Sequence, residues 1–566
     1  MDRETRRQVE EYRRTEAGPI ENNLIDELIE GDVDRQEFLR RATMFGIGAG
    51  TIGALLRYMG EADVAYGAPA ATAQRRGGTL RVGATTAGSS FEPVLLREAG
   101  SLAFAGIPGE YLTFSNQALQ VKPALATSWK PNRDATVWTF QIRKGVKFHN
   151  GKTLTADDVV ASFRQYMAAP TSQLFSAIPK TLLTPGGVIK RGPYTVEFRL
   201  TSPTGSFPYL VSQTSYQAII QPAAIANKPG TWVSSGMIGT GPFRFKSGTP
   251  NRRVELVRFP GYWGGSPPLD GVVFTWYEGT APQVLALRGG QIDLAVQLSG
   301  QEAAPFKGNN RFKVYTVPSA SHRMFGMRVD REPFRDPRVR RAIALTLNRP
   351  DLIRRILLGG GTLGNDSPFW SKFPSTDPSI KQRKQNLEIA RALLRAAGEE
   401  NLKFTITTWN GLDLPDYAQA IQAAGRQAGM DIDLEVQSNA EYYGGGADYY
   451  ATTPWVNRPA TITEYGARGV PNLYLTSAYM SDGIWNASKY KNAEFDSAAR
   501  AYLASADIKA QRRATKKMAG LLLRDTPVIT AYFISFVPAS SSKVQSYQAE
   551  AISHVRLAKT SLSSGT

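Results

Sequence analysis

Hydrophobic and polar positions change their spacing repeatedly along this chain, and each change predicts an element. In Val137-Trp138-Thr139-Phe140-Gln141-Ile142-Arg143 the apolar Trp138, Phe140 and Ile142 alternate with polar residues. A period of two sends successive side chains to opposite faces, so the run predicts a half-buried strand. Asn150-Gly151 supplies a tight turn. Thr155-x-x-Asp158 then forms a capping box ahead of a helix carrying Val159, Val160 and Phe163. Gly77-Gly78-Thr79-Leu80-Arg81-Val82-Gly83 reads as a glycine turn into a short strand. Val196–Leu200 and Val254–Phe259 read as further strands, separated by loops dense in Pro, Gly and Ser.

The second half repeats a different rhythm. Asp336-Pro337 predicts a helix start, with Asp as N-cap and Pro in the first turn. Val339, Ile343 and Leu347 recur at four-residue spacing behind it. Leu387–Ala397 is amphipathic and stopped by Gly398. Phe404–Thr408 predicts a strand, Tyr417–Ala428 a helix, and Asp431–Val436 another strand. That β-α-β order predicts a sheet with helices packed on it.

Residues 1–73 differ from the rest. Residues 1–34 are polar and rich in Arg and Glu, without a sustained apolar stripe. Arg35-Gln36-Glu37-Phe38-Leu39-Arg40-Arg41 precedes a Gly-rich apolar run from Met44 to Leu56, too short for a membrane helix, which needs about 20 apolar residues. Small residues lead to Ala71-Thr72-Ala73, an A-x-A cleavage pattern. Together these features predict a removable export signal over 1–73. Its lead resembles a twin-arginine signal, except that Gln36 stands where the second Arg belongs. A buried amphipathic helix is the alternative reading.

Composition narrows the picture. At 566 residues the chain exceeds one ordinary core; roughly 100–200 residues per domain gives about three to five units. It contains no cysteine, which excludes disulfides, thiolate metal sites, thiol nucleophiles and an N-terminal lipid anchor on Cys. A free periplasmic protein fits best. Residues 1–73 hold 9 Arg and 14 Asp plus Glu, a net of −5, so the formal +18 of the whole becomes +23 for the remainder. The basic residues are scattered and no nucleic-acid module is recognisable, so a solvated basic surface, not a nucleic-acid partner, is expected.

Longer motifs carry a resemblance. Val121-Lys122-Pro123-Ala124-Leu125-Ala126-Thr127-Ser128-Trp129 is followed by Arg143-Lys144-Gly145-Val146-Lys147-Phe148-His149-Asn150-Gly151 and Leu154-Thr155-Ala156-Asp157-Asp158-Val159. Later come Gly239-Thr240-Gly241-Pro242-Phe243, Tyr262-Trp263-Gly264-Gly265 and Leu287-Arg288-Gly289-Gly290-Gln291-Ile292-Asp293. The series continues with Pro333-Phe334-Arg335-Asp336-Pro337-Arg338-Val339-Arg340-Arg341-Ala342-Ile343 and Asn492-Ala493-Glu494-Phe495-Asp496. In this order, over about 77–550, the chain resembles the family 5 extracellular solute-binding proteins, the dipeptide- and oligopeptide-binding components of ABC importers. The resemblance implies an α/β fold of two lobes, of the periplasmic peptide-binding type, with an extra subdomain in the first lobe. Lobe I would span 74–320, with the subdomain at about 121–234; lobe II would span 321–530, and 531–566 would return to lobe I. The lobes would close about chain crossings near 318–322 and 527–533. Implied partners are a short peptide or peptide-like ligand and a separate permease with its ATPase, the binding protein itself being a monomer.

The same resemblance places ligand contacts on loops at the inner faces of both lobes. The loop Thr85–Phe91 would offer Ser89 and Ser90. Thr407–Gly411 would offer Trp409 and Asn410. In Thr452–Pro459, Trp455 and Arg458 would occupy positions where many members carry a Trp and, three residues on, a charged residue. That residue is an ammonium-binding Asp in dipeptide binders. An Arg there would grip a carboxylate or phosphate instead, or else pair with a protein carboxylate such as Glu464. Arg328, in place of a frequent Asn, adds positive charge, and Tyr216, Tyr442 and Tyr443 are candidate cleft aromatics.

Enzymatic chemistry has little support. His149, His322 and His554 are the only histidines, and no zinc-protease, nucleophile-elbow, P-loop or dinucleotide motif occurs. No catalytic residue, metal site or cofactor is therefore expected, and the scarcity of His and Cys argues against the nickel-binding branch of the family. The leading expectation is periplasmic capture of a short peptide-like solute. Alternatives are an anionic opine or an oligosaccharide as ligand, or a chemosensory role in which the loaded protein is presented to a receptor.

Overall fold

The computed structural model describes residues 3–15, 17, 19–47, 52, 55–56, 76–87, 90–96, 99–117, 119–172, 174, 178–444, 449–505 and 507–563. Two seven-stranded sheets organise it, one per lobe, with a four-stranded sheet beside the first.

The first sheet is built around Thr79–Thr85, which pairs in parallel with Gly271–Tyr277 on one side and Leu294–Ala295 on the other. Alternation in the opening strand is what the sheet needs: Leu80 and Val82 are fully buried while Thr79 is exposed. Arg253–Arg258 and Phe243–Thr249 extend one side antiparallel, and Ala539–Ser541 with Phe312–Val314 completes the other.

The subdomain sheet runs Ala126–Pro131, Val137–Ile142, Thr195–Leu200, Leu183–Gly192, all antiparallel. Trp138, Phe140 and Ile142 are buried as the alternation predicts, and the helix Ala156–Ala168 is capped by the Thr155/Asp158 box. The Gly239-Thr240-Gly241 motif has a packing reason. A Cβ at Gly239 would overlap the Pro108 carbonyl oxygen, and one at Gly241 the Ile107 carbonyl oxygen. Only glycine lets the two backbones approach this closely.

The second sheet has the order Gly361–Leu363, Tyr532–Phe536, Val317–Met327, Ala460–Tyr465, Lys403–Trp409, Asp431–Gln437. Lys403–Trp409 and Asp431–Gln437 are parallel, joined by the helix Leu414–Arg426, the β-α-β unit expected from the pattern. Asp336 caps the helix Pro337–Leu345, and Gly398 ends Leu387–Ala397 in the left-handed conformation at φ 76°.

The chain crosses between the sheets after Val314 and again after Phe536, outside the expected 318–322 and 527–533. The two crossing strands pair with each other up to Val317 and Phe536, and the Tyr315 amide donates to the Pro538 carbonyl at 2.9 Å. Ladder hydrogen bonding therefore carries lobe II almost to the point where the chain leaves it, and lobe II extends past 530 to Phe536.

The helices Arg3–Thr15, Pro19–Ile29 and Arg35–Met44 precede the first sheet. The expectation of a polar lead without an apolar stripe does not hold over the second, where Leu24, Ile25 and Leu28 lie at helical spacing and are buried against the protein body. The Ala71-Thr72-Ala73 pattern lies outside the described residues. Among the described residues no helix is long and apolar enough to cross a membrane.

Candidate functional site

Parallel strands end on one side of their sheet, and in α/β folds the loops at those carboxyl ends form the ligand crevice. Here Thr79–Thr85 of the first sheet and Lys403–Trp409 and Ala460–Tyr465 of the second all deliver their last residues to one cavity. Ala84, Thr85 and Thr86, then Trp409, then Glu464 to Arg468 line it, with Tyr216, Trp455 and Trp485 completing much of the wall. The cavity has a volume of about 140 Å³.

Glu464 is the carboxylate of the cavity wall, only partly covered. Trp409 Nε1 donates to its Oε2 at 2.9 Å and the Tyr443 hydroxyl donates to the same oxygen at 2.5 Å. Burial raises its pKa above the ordinary carboxyl value; those two hydrogen bonds and the nearby Arg323 charge oppose that shift. Arg323 is itself held by Asp413, whose Oδ1 accepts from Nε at 2.8 Å, and the Tyr532 hydroxyl donates to Asp413 Oδ2 at 2.9 Å. The strand position of Arg323 thus contributes a fixed, paired cation.

Arg468 is different. It follows the strand Ala460–Tyr465 in a glycine-flanked loop, is 9% exposed, and lies over the Tyr216 ring with its guanidinium carbon 3.9 Å from the ring centroid. Its Nη1 donates to the Tyr216 hydroxyl and, at 2.9 Å, to the Ala467 carbonyl. No carboxylate pairs with it among the described residues, and its Nε has no partner. A buried guanidinium in this condition carries an unmet demand for an acceptor.

None of the three histidines lines the cavity. Burial lowers the pKa of His149 and His322 to about 4 and of His554 to about 3, so all three are neutral at pH 7. Among the described residues no group of three or more His, Cys, Asp and Glu could hold a metal ion.

The cavity gathers some of the expected residues and not others. Tyr216, Trp409, Tyr443 and Trp455 line it. Asn410, one residue beyond Trp409, is exposed and its amide donates to the Gln437 carbonyl at 2.8 Å. Tyr442 is fully buried with its hydroxyl on the Ile462 carbonyl at 2.8 Å, a packing role. Ser90 is exposed and accepts from the Glu92 amide, the wall being formed by Thr85 and Thr86 instead; Ser89 lies outside the described residues.

Both arginines singled out from the sequence point elsewhere. Arg328 is clamped on Asp330 by hydrogen bonds of 2.8 and 2.7 Å, which satisfies its charge away from the cavity. Arg458 follows the short helix Pro454–Asn457, is half exposed, and pairs with Glu435 at 3.2 Å rather than with Glu464. Arg468, which pattern reading passed over, lines the cavity without a carboxylate partner among the described residues. Arg468 stands between Gly466 and Gly469, just past the strand Ala460–Tyr465, and no pattern of neighbouring residues sets it apart from the other arginines.

A cavity between two lobes, entered by the carboxyl ends of parallel strands and lined by aromatics and a few buried charges, defines a solute-binding protein of the two-lobe periplasmic class. A family profile for bacterial extracellular solute-binding proteins, family 5 (middle region), matches residues 120–485. The chain belongs to that family.

Known relatives agree in fold. The nickel-binding protein NikA of Staphylococcus aureus is 26% identical over 448 residues, covering 78% of this chain and 86% of that protein. Its structure in complex with Ni(L-His)2 matches with a TM-score of 0.73 over 86% of this chain and 100% of that one. The oligopeptide-binding protein AppA of Bacillus subtilis is 24% identical over 504 residues, covering 84% and 89% of the two chains. The periplasmic binding protein DppA of Helicobacter pylori, solved with the peptide STSA, matches with a TM-score of 0.75 at 24% identity, over 87% of this chain and 99% of that one.

Proposed function

We propose that this protein is the periplasmic binding component of an ABC importer and that its ligand is a short peptide or peptide-like solute bearing a carboxylate. The observation that carries this reading is the buried Arg468, which has no anionic partner among the described residues and lines the same cavity as Glu464. A peptide zwitterion brings one carboxylate and one ammonium, the two charges this pair would complement. The aromatic walls of Trp409, Tyr443 and Trp455 suit apolar side chains. The relatives named for oligopeptide binding and solved with a peptide support the same ligand class. Export through the signal read in 1–73, a monomeric state and delivery to a separate permease and ATPase belong to this proposal, as does the absence of catalysis. Arg468 in place of Arg458 now also motivates the second reading, an anionic opine.

Nickel carried as a complex is a further candidate ligand. A relative named for nickel binding is similar over most of the chain, and its structure holds the metal as a histidine complex. A ligand that brings its own nitrogen donors does not need histidines in the wall, so nickel with free histidine belongs in the test.

Mass spectrometry of whatever co-purifies, followed by a thermal-shift screen, tests the assignment. Peptides, opines, oligosaccharides and nickel with and without histidine are compared, since a ligand specific for the folded state raises the melting temperature by mass action. Stabilisation by peptides or carboxylate-bearing analogues is expected. Stabilisation by neutral sugars alone would remove the proposal.

A further inference from the structure

Residues 3–47 grip both lobes at once. Toward the first lobe, Trp129 Nε1 donates to the Met44 carbonyl at 2.7 Å and the Val121 amide to Thr43 Oγ1 at 3.1 Å. Arg40 donates to the Tyr209 hydroxyl at 3.3 Å. Gly46 lies so close to the Trp129 carbonyl oxygen, at φ 79°, that no other residue fits there. Toward the second lobe, the Ile508 amide donates to Glu27 Oε1 at 3.4 Å and Arg512 to the Asp32 carbonyl at 3.2 Å, while Lys509 pairs with Asp32 and Glu30.

The segment between these two sets of contacts is not loose. Arg41, only 2% exposed, pairs with Glu27, and Arg40 pairs with Glu37 at 2.6 Å, both pairs out of water. Phe38, Leu24 and Ile25 are fully buried in the core cluster that also contains residues of both lobes. Buried ion pairs and a glycine forced by close approach mark a fitted surface rather than a chain lying on one.

We propose that residues 3–47 act as an intramolecular latch, holding the two lobes in this relative arrangement for as long as the segment stays attached. Closure and opening in a two-lobe protein rotate one lobe against the other about the crossings. A segment bonded to both lobes must lose one set of contacts when they rotate, so it shifts the population toward the arrangement in which it keeps both. Removal of residues 1–73 would then free the lobes, and the unprocessed chain would exchange ligand slowly. The inference stands independently of which solute fills the cavity.

Because the chain has no cysteine, the test can use introduced ones. Full-length protein carrying K246C and K403C, exposed positions on the first and second sheets, is labelled with a donor and an acceptor dye, and the distance between the lobes is read on single molecules without added ligand. A single narrow distribution is expected. F38D, which undoes the packing of the latch, should broaden or shift it. K509E, an exposed change that places like charges opposite Asp32 and Glu30, should raise the fraction of molecules outside that main peak by about two- to fivefold. A42C, at a fully buried latch position, should react with a thiol reagent at least tenfold more slowly in the otherwise unaltered chain than beside F38D. A broad distribution in the unaltered chain, equal distributions in folded F38D and K509E proteins, or unprotected A42C would each overturn the proposal.

Discussion

The guanidinium carbon of Arg468 lies 3.9 Å from the centroid of the Tyr216 ring, and the two residues come from opposite lobes. A cation over an aromatic face is favourable by up to about 2 kcal/mol when desolvated. It also joins the lobes at the wall of the cavity, where Nε of Arg468 is buried without a hydrogen-bond partner.

Arg468→Met should cost a carboxylate-bearing ligand roughly 1.5–3 kcal/mol, the contribution of a charged hydrogen bond, or about 10- to 150-fold in affinity. Arg458→Ala should leave affinity within about twofold, because that side chain is half exposed on Glu435. Isothermal titration with the co-purified ligand checks both, and the reverse order of effects would reassign the anion site.

Glu550 is buried beside the second crossing's return segment, and burial lifts its carboxyl to about 7 despite Arg556 at 3.2 Å. The folded state therefore holds a proton that the unfolded chain releases near 4.5. The stability linked to that proton is fully present below about 4.5 and is lost as pH rises through about 7. Melting temperature should fall over that window in the unaltered protein and fall less in Glu550→Gln, which keeps the neutral shape. Parallel pH profiles in the two proteins would contradict the assignment.

Gly241→Ala places a methyl group against the Ile107 carbonyl oxygen, in a backbone approach with no flexible side chain to give way. Overpacking of this kind costs about 1–3 kcal/mol. Urea unfolding should show a lower midpoint with an unchanged slope.

Asp366 is wholly buried and joins Arg349 and Arg383, each at 2.7 Å. Asp366→Ala strands two buried cations and should cost about 3–5 kcal/mol, far more than an exposed pair such as Lys403–Asp431. Denaturant unfolding of Asp366→Ala and Lys403→Ala side by side checks the contrast.

Local elements were largely legible because their causes are local. The alternation of Trp138, Phe140 and Ile142, the Thr155/Asp158 box, the Asp336 cap and the Gly398 stop each predict what neighbouring residues do, and each is found. Family-wide motifs then extended that reading to a two-lobe binding fold. The crossings were misplaced by a few residues, since backbone pairing between Val317 and Phe536 depends on a strand more than two hundred positions away.

The site was half legible for the same reason. Trp409 and Tyr216 stand out by residue type and position, and they do line the cavity. Nothing in the sequence distinguishes Arg458 or Arg328 from Arg468, because a guanidinium is spent or available according to which carboxylate lies beside it. Glu435 and Asp330 satisfy the first two, and among the described residues no acid pairs with the third. The amino-acid order by itself determined the elements, the family and the lack of thiol chemistry. Only the tertiary structure decided which charges remain unpaired in the cavity and that residues 3–47 span both lobes, since both depend on contacts between residues far apart in the chain.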